Sequence, residues 1–207
     1  MRSRNPRGQG ERLRAELLHA TERLLEQVGS EDALSLRAVA REAGVAAPSI
    51  YRHFTDKTEL VWATLETNFE RLARAMAQAA SEAEAAHAGP AAELPVARLR
   101  AQLRAYCRYA TEHPAKYRLL HETRQTPVGP ERLRDHPAGL LVRIWRDELA
   151  ACREAGWRIR CDDEEAPYLL WSAVHGRVML WQAMPSVKDT RRLDRVVDDI
   201  LRLLLER

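Results

Sequence analysis

The stretch Ser35-Leu36-Arg37-Ala38-Val39-Ala40-Arg41-Glu42-Ala43-Gly44-Val45-Ala46-Ala47-Pro48-Ser49-Ile50-Tyr51-Arg52-His53-Phe54 constrains this chain more than any other part of it. It reads as a helix-turn-helix. Ser35 is a good N-cap for a short first helix, Val39 and Ala43 lie four apart on its inner face, and Gly44 can take the left-handed conformation that ends a helix. Val45 then plugs the corner. The second helix starts across Ala46 to Pro48, where proline is tolerated because a first-turn N–H has no intrahelical partner, and it ends near Phe54.

The flanks are helical too. Asp56-Lys57-Thr58-Glu59 gives a carboxylate cap followed three residues later by glutamate, close to a capping box, ahead of the apolar series Leu60, Val61, Leu65, Phe69, Leu72 and Met76. Upstream, Leu13, Leu17, Leu24, Leu25 and Val28 repeat at helical spacing until Gly29 stops the run. The segment to Met76 is therefore expected to be four helices with very short joints.

The order Leu-Arg-x-Val-Ala-x-x-Ala-Gly-Val, then Ser-Ile-Tyr-Arg-His-Phe, then Asp-Lys-x-Glu-Leu, resembles the tetracycline-repressor (TetR/AcrR) family of bacterial transcription regulators. The match covers roughly the first third of the chain. Ala46 departs from it, because many relatives place Ser or Thr there to cap the recognition helix. The resemblance implies a DNA-binding domain over 1–57, with its helix-turn-helix at 35–54, and a ligand-binding and dimerisation domain over 58–207. It also implies which residues meet DNA. Ala47, Pro48 and Ser49 stand where relatives touch base edges, and Arg37, Tyr51, His53 and Lys57 match positions that hold phosphates. Tyr51 and His53 have packing as their alternative role.

Charge placement adds to this. The net charge of the 207 residues is only +3, but Arg2, Arg4, Arg7, Arg12 and Arg14 face a single acid, Glu11, over the opening stretch. That pattern suits either an arm lying beside phosphates or a solvated tail. Charged residues make up 30%, Gly and Pro sit mainly at joints, and no region alternates with period two, so the expected fold class is all-α. Cys107, Cys152 and Cys161 are an odd number without disulfide-scaffold spacing, and no secretory signal or membrane-length apolar run is present. A cytoplasmic location and no membrane contact are expected. The cysteines read as small buried hydrophobes, with a redox switch as the alternative.

Beyond Met76 the alanine-rich run to Ala92 extends the long helix until Gly89-Pro90 breaks it. Val96, Leu99, Leu103, Tyr106 and Ala110 define the buried face of the next helix, closed near His113-Pro114. A short helix follows over Ala115 to Thr123. Thr126 to Pro130, with His136-Pro137, reads as an exposed connection. Leu141, Ile144, Trp145 and Cys152 mark another helix, which Gly156 ends. The run from Asp163 to Met184 is apolar on more than one face, and Ser186 to Arg207 carries a wide stripe of Leu193, Val196, Val197, Ile200, Leu203 and Leu204. A second copy of the chain would cover what one copy leaves open.

Leu170-Trp171-Ser172-Ala173-Val174-His175-Gly176, followed by Trp181, resembles the Trp-His-Gly type of regulatory domain in a branch of the family, although the literal order here is Val-His-Gly. By analogy with relatives, the last two helices are assigned to a homodimer interface that includes Gly176, Val197, Ile200 and Leu204. Gly176 can serve close approach of a partner helix or contact within the same subunit. His175 reads as a ligand sensor, a cross-subunit donor or a satisfied core histidine.

No catalytic constellation, phosphate loop or metal-ligand spacing is present, so no cofactor and no metal are expected. The reading is a homodimeric regulator, a repressor released from an inverted-repeat operator in double-stranded DNA by a small apolar or aromatic effector. Tyr106, His121, Trp145, Trp171 and His175 are the expected pocket residues, being aromatic or polar-tipped side chains on apolar helices. A strongly anionic effector is disfavoured by the lack of a basic cluster on those faces, Arg177 being the exception. The alternative is an enzyme or small-molecule carrier with a C-terminal pocket, which turnover against a metabolite panel would reveal.

Overall fold

The computed structural model describes residues 9–184 and 191–207. Arg2, Arg4 and Arg7 of the basic arm, and the start of the last expected helix at Ser186, lie outside the described residues. Among the described residues the fold is all-α apart from a two-residue ribbon and an isolated bridge between Ser30 and Arg124. In order, the helices are α1 (Gln9–Val28), α2 (Leu36–Glu42), a tight 3-10 turn (Ala47–Arg52), α3 (Lys57–Ala85), a second 3-10 turn (Ala91–Glu93), α4 (Leu94–Glu112), α5 (Pro114–Glu122), α6 (Pro130–Leu133), α7 (Gly139–Glu154), α8 (Ala166–Ala183) and α9 (Arg191–Leu204). No helix among the described residues is long and apolar enough to cross a membrane.

Two compact units divide these elements. One comprises the described residues up to Phe69 together with Ala115–Pro137. The other comprises Glu70–Pro114 and the described part of Ala138–Arg207. In the first unit, Leu60, Val61, Leu65 and Phe69 of α3 are all buried, as are Leu17 and Leu25 of α1, so the helical spacing of the sequence defines the core face. In the second, α4 packs on α7, α8 and α9, with Leu99, Leu103, Trp145, Val174 and Val197 fully buried.

Glycines end helices where expected. Gly29, Gly44 and Gly156 all have positive φ, at 65°, 69° and 90°. After Gly156, the Trp157 amide returns to the Cys152 carbonyl at 3.0 Å, satisfying a carbonyl that the end of α7 leaves open. The chain then forms β1 (Arg158–Ile159), which pairs antiparallel with β2 (Leu205–Glu206). Two residues cannot display a period-two pattern, which is why no strand is legible in the sequence. Cys107 and Cys152 are buried free thiols, and burial pushes each up to about 12, so both stay protonated as small hydrophobes.

Candidate nucleic-acid interface and regulatory core

The helix-turn-helix is built by local bonds around Gly44. Ser35 has the extended geometry of an N-cap and its carbonyl accepts from Val39 N at 3.0 Å, but its hydroxyl makes no cap bond, contrary to the sequence expectation. At the other end of α2, Gly44 N reaches Arg41 at 3.1 Å and Val45 N reaches the Ala40 carbonyl at 2.9 Å, the latter a bond that the left-handed conformation of residue 44 allows. The recognition element also differs from expectation. Instead of an α-helix to Phe54, Ala47–Arg52 is 3-10, with Ser49 N on Ala46 O at 2.8 Å and His53 N on Ile50 O at 2.9 Å. Ala46 offers no side-chain acceptor and Pro48 no N–H, so the first turn closes by short-range backbone bonds.

Ile50 and Phe54 anchor this element. Both are buried, which contributes about 1.5–3 kcal/mol for each side chain. The Arg14 guanidinium sits 5.3 Å above the Phe54 ring. What remains points outward: Pro48, Arg52 and Arg37 are exposed, Ala47, Ser49 and Lys57 are partly so, and Tyr51 is 62% exposed. His53 is half-buried, and its Nε2 is shielded without a hydrogen-bond partner. Tyr51 therefore does not pack in the core, whereas His53 stands between the two roles considered for it.

The start of α3 directly after this element is held with unusual density. Asp56 Oδ1 accepts from Glu59 N at 2.7 Å, and Glu59 Oε2 accepts from the amide and hydroxyl of Thr55, both at 2.6 Å. The capping box thus exists with its return bond one residue earlier than the standard pattern. Arg132 adds a two-point hydrogen bond to Asp56, at 3.1 Å from each terminal nitrogen, and lies 5.3 Å over the Trp62 ring. His136 meets Trp62 edge-to-face with ring centroids 5.2 Å apart, and burial holds its pKa below the ordinary histidine value.

Two further ties come from the same stretch. Buried Glu31 accepts from Thr58 Oγ1 at 2.6 Å and from Thr126 N at 3.0 Å. Lys116 bonds Glu22 and lies 2.9 Å from Glu26. The stretch that holds Thr126 to Pro130 and His136-Pro137, which read as an exposed connection, is therefore fastened through Thr126, Arg132 and His136 to the unit that carries the helix-turn-helix. The partners are separated by up to 95 positions in sequence, and no local pattern announces them.

The Arg132 hydrogen bonds, followed by the Glu59 amide, hold the Asp56 carboxyl below its ordinary value of 3.8. A carboxyl lowered on folding contributes stability above its unfolded pKa and loses it as pH falls through the folded value. Urea midpoints of the wild type and Asp56→Asn should consequently differ at about pH 7 and converge as pH falls below 3.8. A gap that is the same at both ends of that range would show that the charge on Asp56 contributes nothing.

Four of the five expected pocket residues come together in the second unit. Tyr106 on α4 is fully buried and its ring lies 5.7 Å from that of Trp145 on α7, which is also fully buried. Trp171 Nε1 of α8 donates to Tyr106 Oη at 3.2 Å, and the same hydroxyl lies 3.5 Å from His175 Nδ1. Positions 171 and 175 are four apart, so one face of α8 brings both to a single hydroxyl. His121 is elsewhere: it belongs to the first unit, against Tyr117 at 4.5 Å and Phe69 at 6.0 Å. Sequence reading missed Glu148, a buried carboxylate whose Oε1 accepts from Arg98 at 2.7 Å and Gln102 at 2.8 Å, one helical turn from the Tyr106 cluster. The signal available was Arg98 and Gln102 spaced four apart on the buried side of α4.

The residues assigned to a dimer interface separate into two kinds. Val197 and Leu204 are buried within the protomer. Ile200 is half-buried and Leu203 is 72% exposed, while Tyr168, Leu169, Leu180 and Met184 leave apolar surface open on or beside α8. A Cβ built on Gly176 meets nothing within 4 Å, so the glycine serves no close contact among the described residues of its own subunit.

Comparison with known proteins follows the same division. The family model for bacterial regulatory proteins of the tetR family matches residues 17–64, and the model for the tetracyclin repressor-like C-terminal domain matches residues 99–204. Among solved structures, the fold is similar to that of NalD, the secondary repressor of the MexAB-OprM multidrug efflux pump in Pseudomonas aeruginosa, at 19% identity over 95% of this chain and 97% of that one, with a TM-score of 0.66. It is also similar to SmeT, the repressor of the Stenotrophomonas maltophilia multidrug efflux pump SmeDEF, at 19% identity, 93% and 90% coverage and a TM-score of 0.68. A protein of unknown function from Rhodococcus sp. RHA1 is 28% identical over 99% of this chain and 100% of its own, with a TM-score of 0.65.

Proposed function

This chain belongs to the tetR family of bacterial regulatory proteins, and from that membership we propose that it is a cytoplasmic, homodimeric repressor released from an inverted-repeat operator by a small molecule. Family membership makes it a DNA-binding transcription regulator rather than an enzyme. The observation that carries the finer reading is the recognition element itself. Ile50 and Phe54 fix it from behind while Pro48, Ser49 and Tyr51 face outward. In this reading Ala47, Pro48 and Ser49 meet base edges in the major groove, and Arg37, Tyr51, His53 and Lys57 hold phosphates.

Residues 1–57 are the DNA-contacting part and 58–207 the regulatory and dimerising part, with 115–137 bracing the former. Two copies related by a twofold axis present identical recognition elements, so the operator should be an inverted repeat with half-sites about 34–36 Å apart. The effector binds at Tyr106, Trp145, Trp171 and His175, an aromatic cluster with a single central hydroxyl that suits an apolar or aromatic molecule. It releases DNA by favouring a dimer geometry in which the recognition elements no longer match the half-sites.

Footprinting of the purified protein on genomic DNA tests the reading and recovers the operator. Once a site is in hand, Lys57→Ala should weaken binding to all sequences alike and lower the salt slope by about one, whereas replacing Ser49 should change sequence preference. Failure to protect any site with dyad symmetry would overturn the operator assignment, and an unchanged salt slope would remove Lys57 from the phosphate contacts.

A further inference from the structure

The second unit holds a groove of about 650 Å³ along the seam of α4 and α9, within the size range of small-molecule sites and lined by none of the Tyr106 cluster. Trp157, Leu201 and Leu205 form its apolar side, and Arg100, Arg104 and Asp198 its polar side. The polar side already displays a specific chemistry. Arg100 Nε donates to Asp198 Oδ1 at 3.0 Å, and a terminal nitrogen of Arg104 donates to the same carboxylate at 3.1 and 2.9 Å. Two guanidinium groups from successive turns of one helix thus converge on one carboxylate, the ligand shape that a guanidinium fork recognises.

These groups are within reach of solvent. The Arg100, Arg104 and Asp198 side chains are 39%, 34% and 35% exposed, so an incoming anion can compete for them without unfolding the seam. Arg104 Nε is shielded and makes no hydrogen bond, its ion-pair neighbour Asp194 standing off at 3.7 Å. Arg202 adds a third guanidinium to the lining, itself paired with Asp199 at 2.8 Å. Next to these charges lies the Trp157 ring, with the Arg207 guanidinium 5.7 Å from its centroid on one face. The Trp157 indole is pinned by its own Nε1–H, which donates to the Ala92 carbonyl at 2.7 Å.

We propose that this groove is a second ligand site that takes an amphiphilic organic carboxylate, its carboxylate exchanging with Asp198 on Arg100 and Arg104 and its aryl or alkyl body lying on Trp157, Leu201 and Leu205. Exchange frees Asp198 and with it an ion-pair tie between α4 and α9. At 100° per residue, Ile200 and Leu203 lie about 160° and 140° round α9 from Asp198, so a dimer formed through them leaves the Asp198 side of the groove open. The proposal does not depend on the Tyr106 cluster being an effector site.

The test is calorimetric titration of the full chain with 3-phenylpropionate and decanoate, each against its primary amide. The carboxylates should bind at least about tenfold more tightly than the amides, the worth of one charge-assisted hydrogen bond. Asp198→Asn should tighten carboxylate binding by releasing both guanidinium groups, and Arg104→Gln should abolish the preference over the amide. Trp171→Ala should leave it intact. Equal binding of acid and amide, no binding of either acid to the wild type, a preference that survives Arg104→Gln, or one lost in Trp171→Ala would each overturn the proposal. Should Asp198→Asn fail to fold, the comparison of wild type with Arg104→Gln decides alone.

Discussion

Placing aspartate at Leu203, or at Leu203 and Ile200 together, should convert the protein into a folded monomer that has lost tight operator binding. Leu203 is 72% exposed in the protomer, so a charge there disturbs little of the subunit itself, on the order of 0.5 kcal/mol. In a symmetric interface the same residue meets its surroundings twice, and two buried carboxylates without partners are strongly unfavourable. Linked binding to two half-sites gains roughly a hundred- to ten-thousand-fold over one, and a monomer forfeits that gain. Sedimentation at micromolar concentration and a mobility shift read the two effects separately. A variant that remains dimeric and keeps wild-type operator affinity would place the interface elsewhere. Val197→Asp cannot serve this purpose, because Val197 is fully buried within the protomer and the substitution would damage the α4–α9 packing whether or not a partner is present.

Trp145→Ala and Trp171→Ala should behave differently although both remove an indole from the same cluster. Trp145 is fully buried between α7 and α4, so truncation leaves a cavity and should cost about 3–5 kcal/mol of stability, visible as a large fall in Tm. Trp171 is half-buried and contributes one hydrogen bond to Tyr106, worth about 0.5–1.5 kcal/mol net. Trp171→Ala and His175→Ala should therefore fold and bind operator yet fail to respond to the effector. Compounds that quench tryptophan fluorescence and release operator from the wild type provide the assay. Full effector affinity and full release in both variants would rule out this cluster as the effector site while leaving the regulator intact.

Local chemistry in the first seventy residues was legible because it is written at short range. Helical spacing marks Leu17, Leu25, Leu60, Leu65 and Phe69 as core, and glycine at positions 29 and 44 marks the helix ends, since each effect acts within one or two turns. Aromatic or polar-tipped side chains on apolar helices singled out Tyr106, Trp145, Trp171 and His175, which meet in one unit, but the same rule gave His121 equal credentials, and nothing in the sequence tells that this histidine packs with Phe69 in another unit.

What the chain order leaves open is which distant partner each charged or polar side chain finds. Arg132 closes on Asp56 across 76 positions, Thr126 on Glu31 across 95, and Arg100 on Asp198 across 98, and in each case the sequence shows only an isolated charge or hydroxyl on a solvated face. Burial of Val197 inside the protomer, and exposure of Leu203 six residues later, likewise follow from the rotation of α9 on α4, since a wide apolar stripe is compatible with several rotations until packing selects one. Periodicity and capping act along the chain and can be read from it; pairing and burial act across it, and only the folded arrangement of helices supplies the partners.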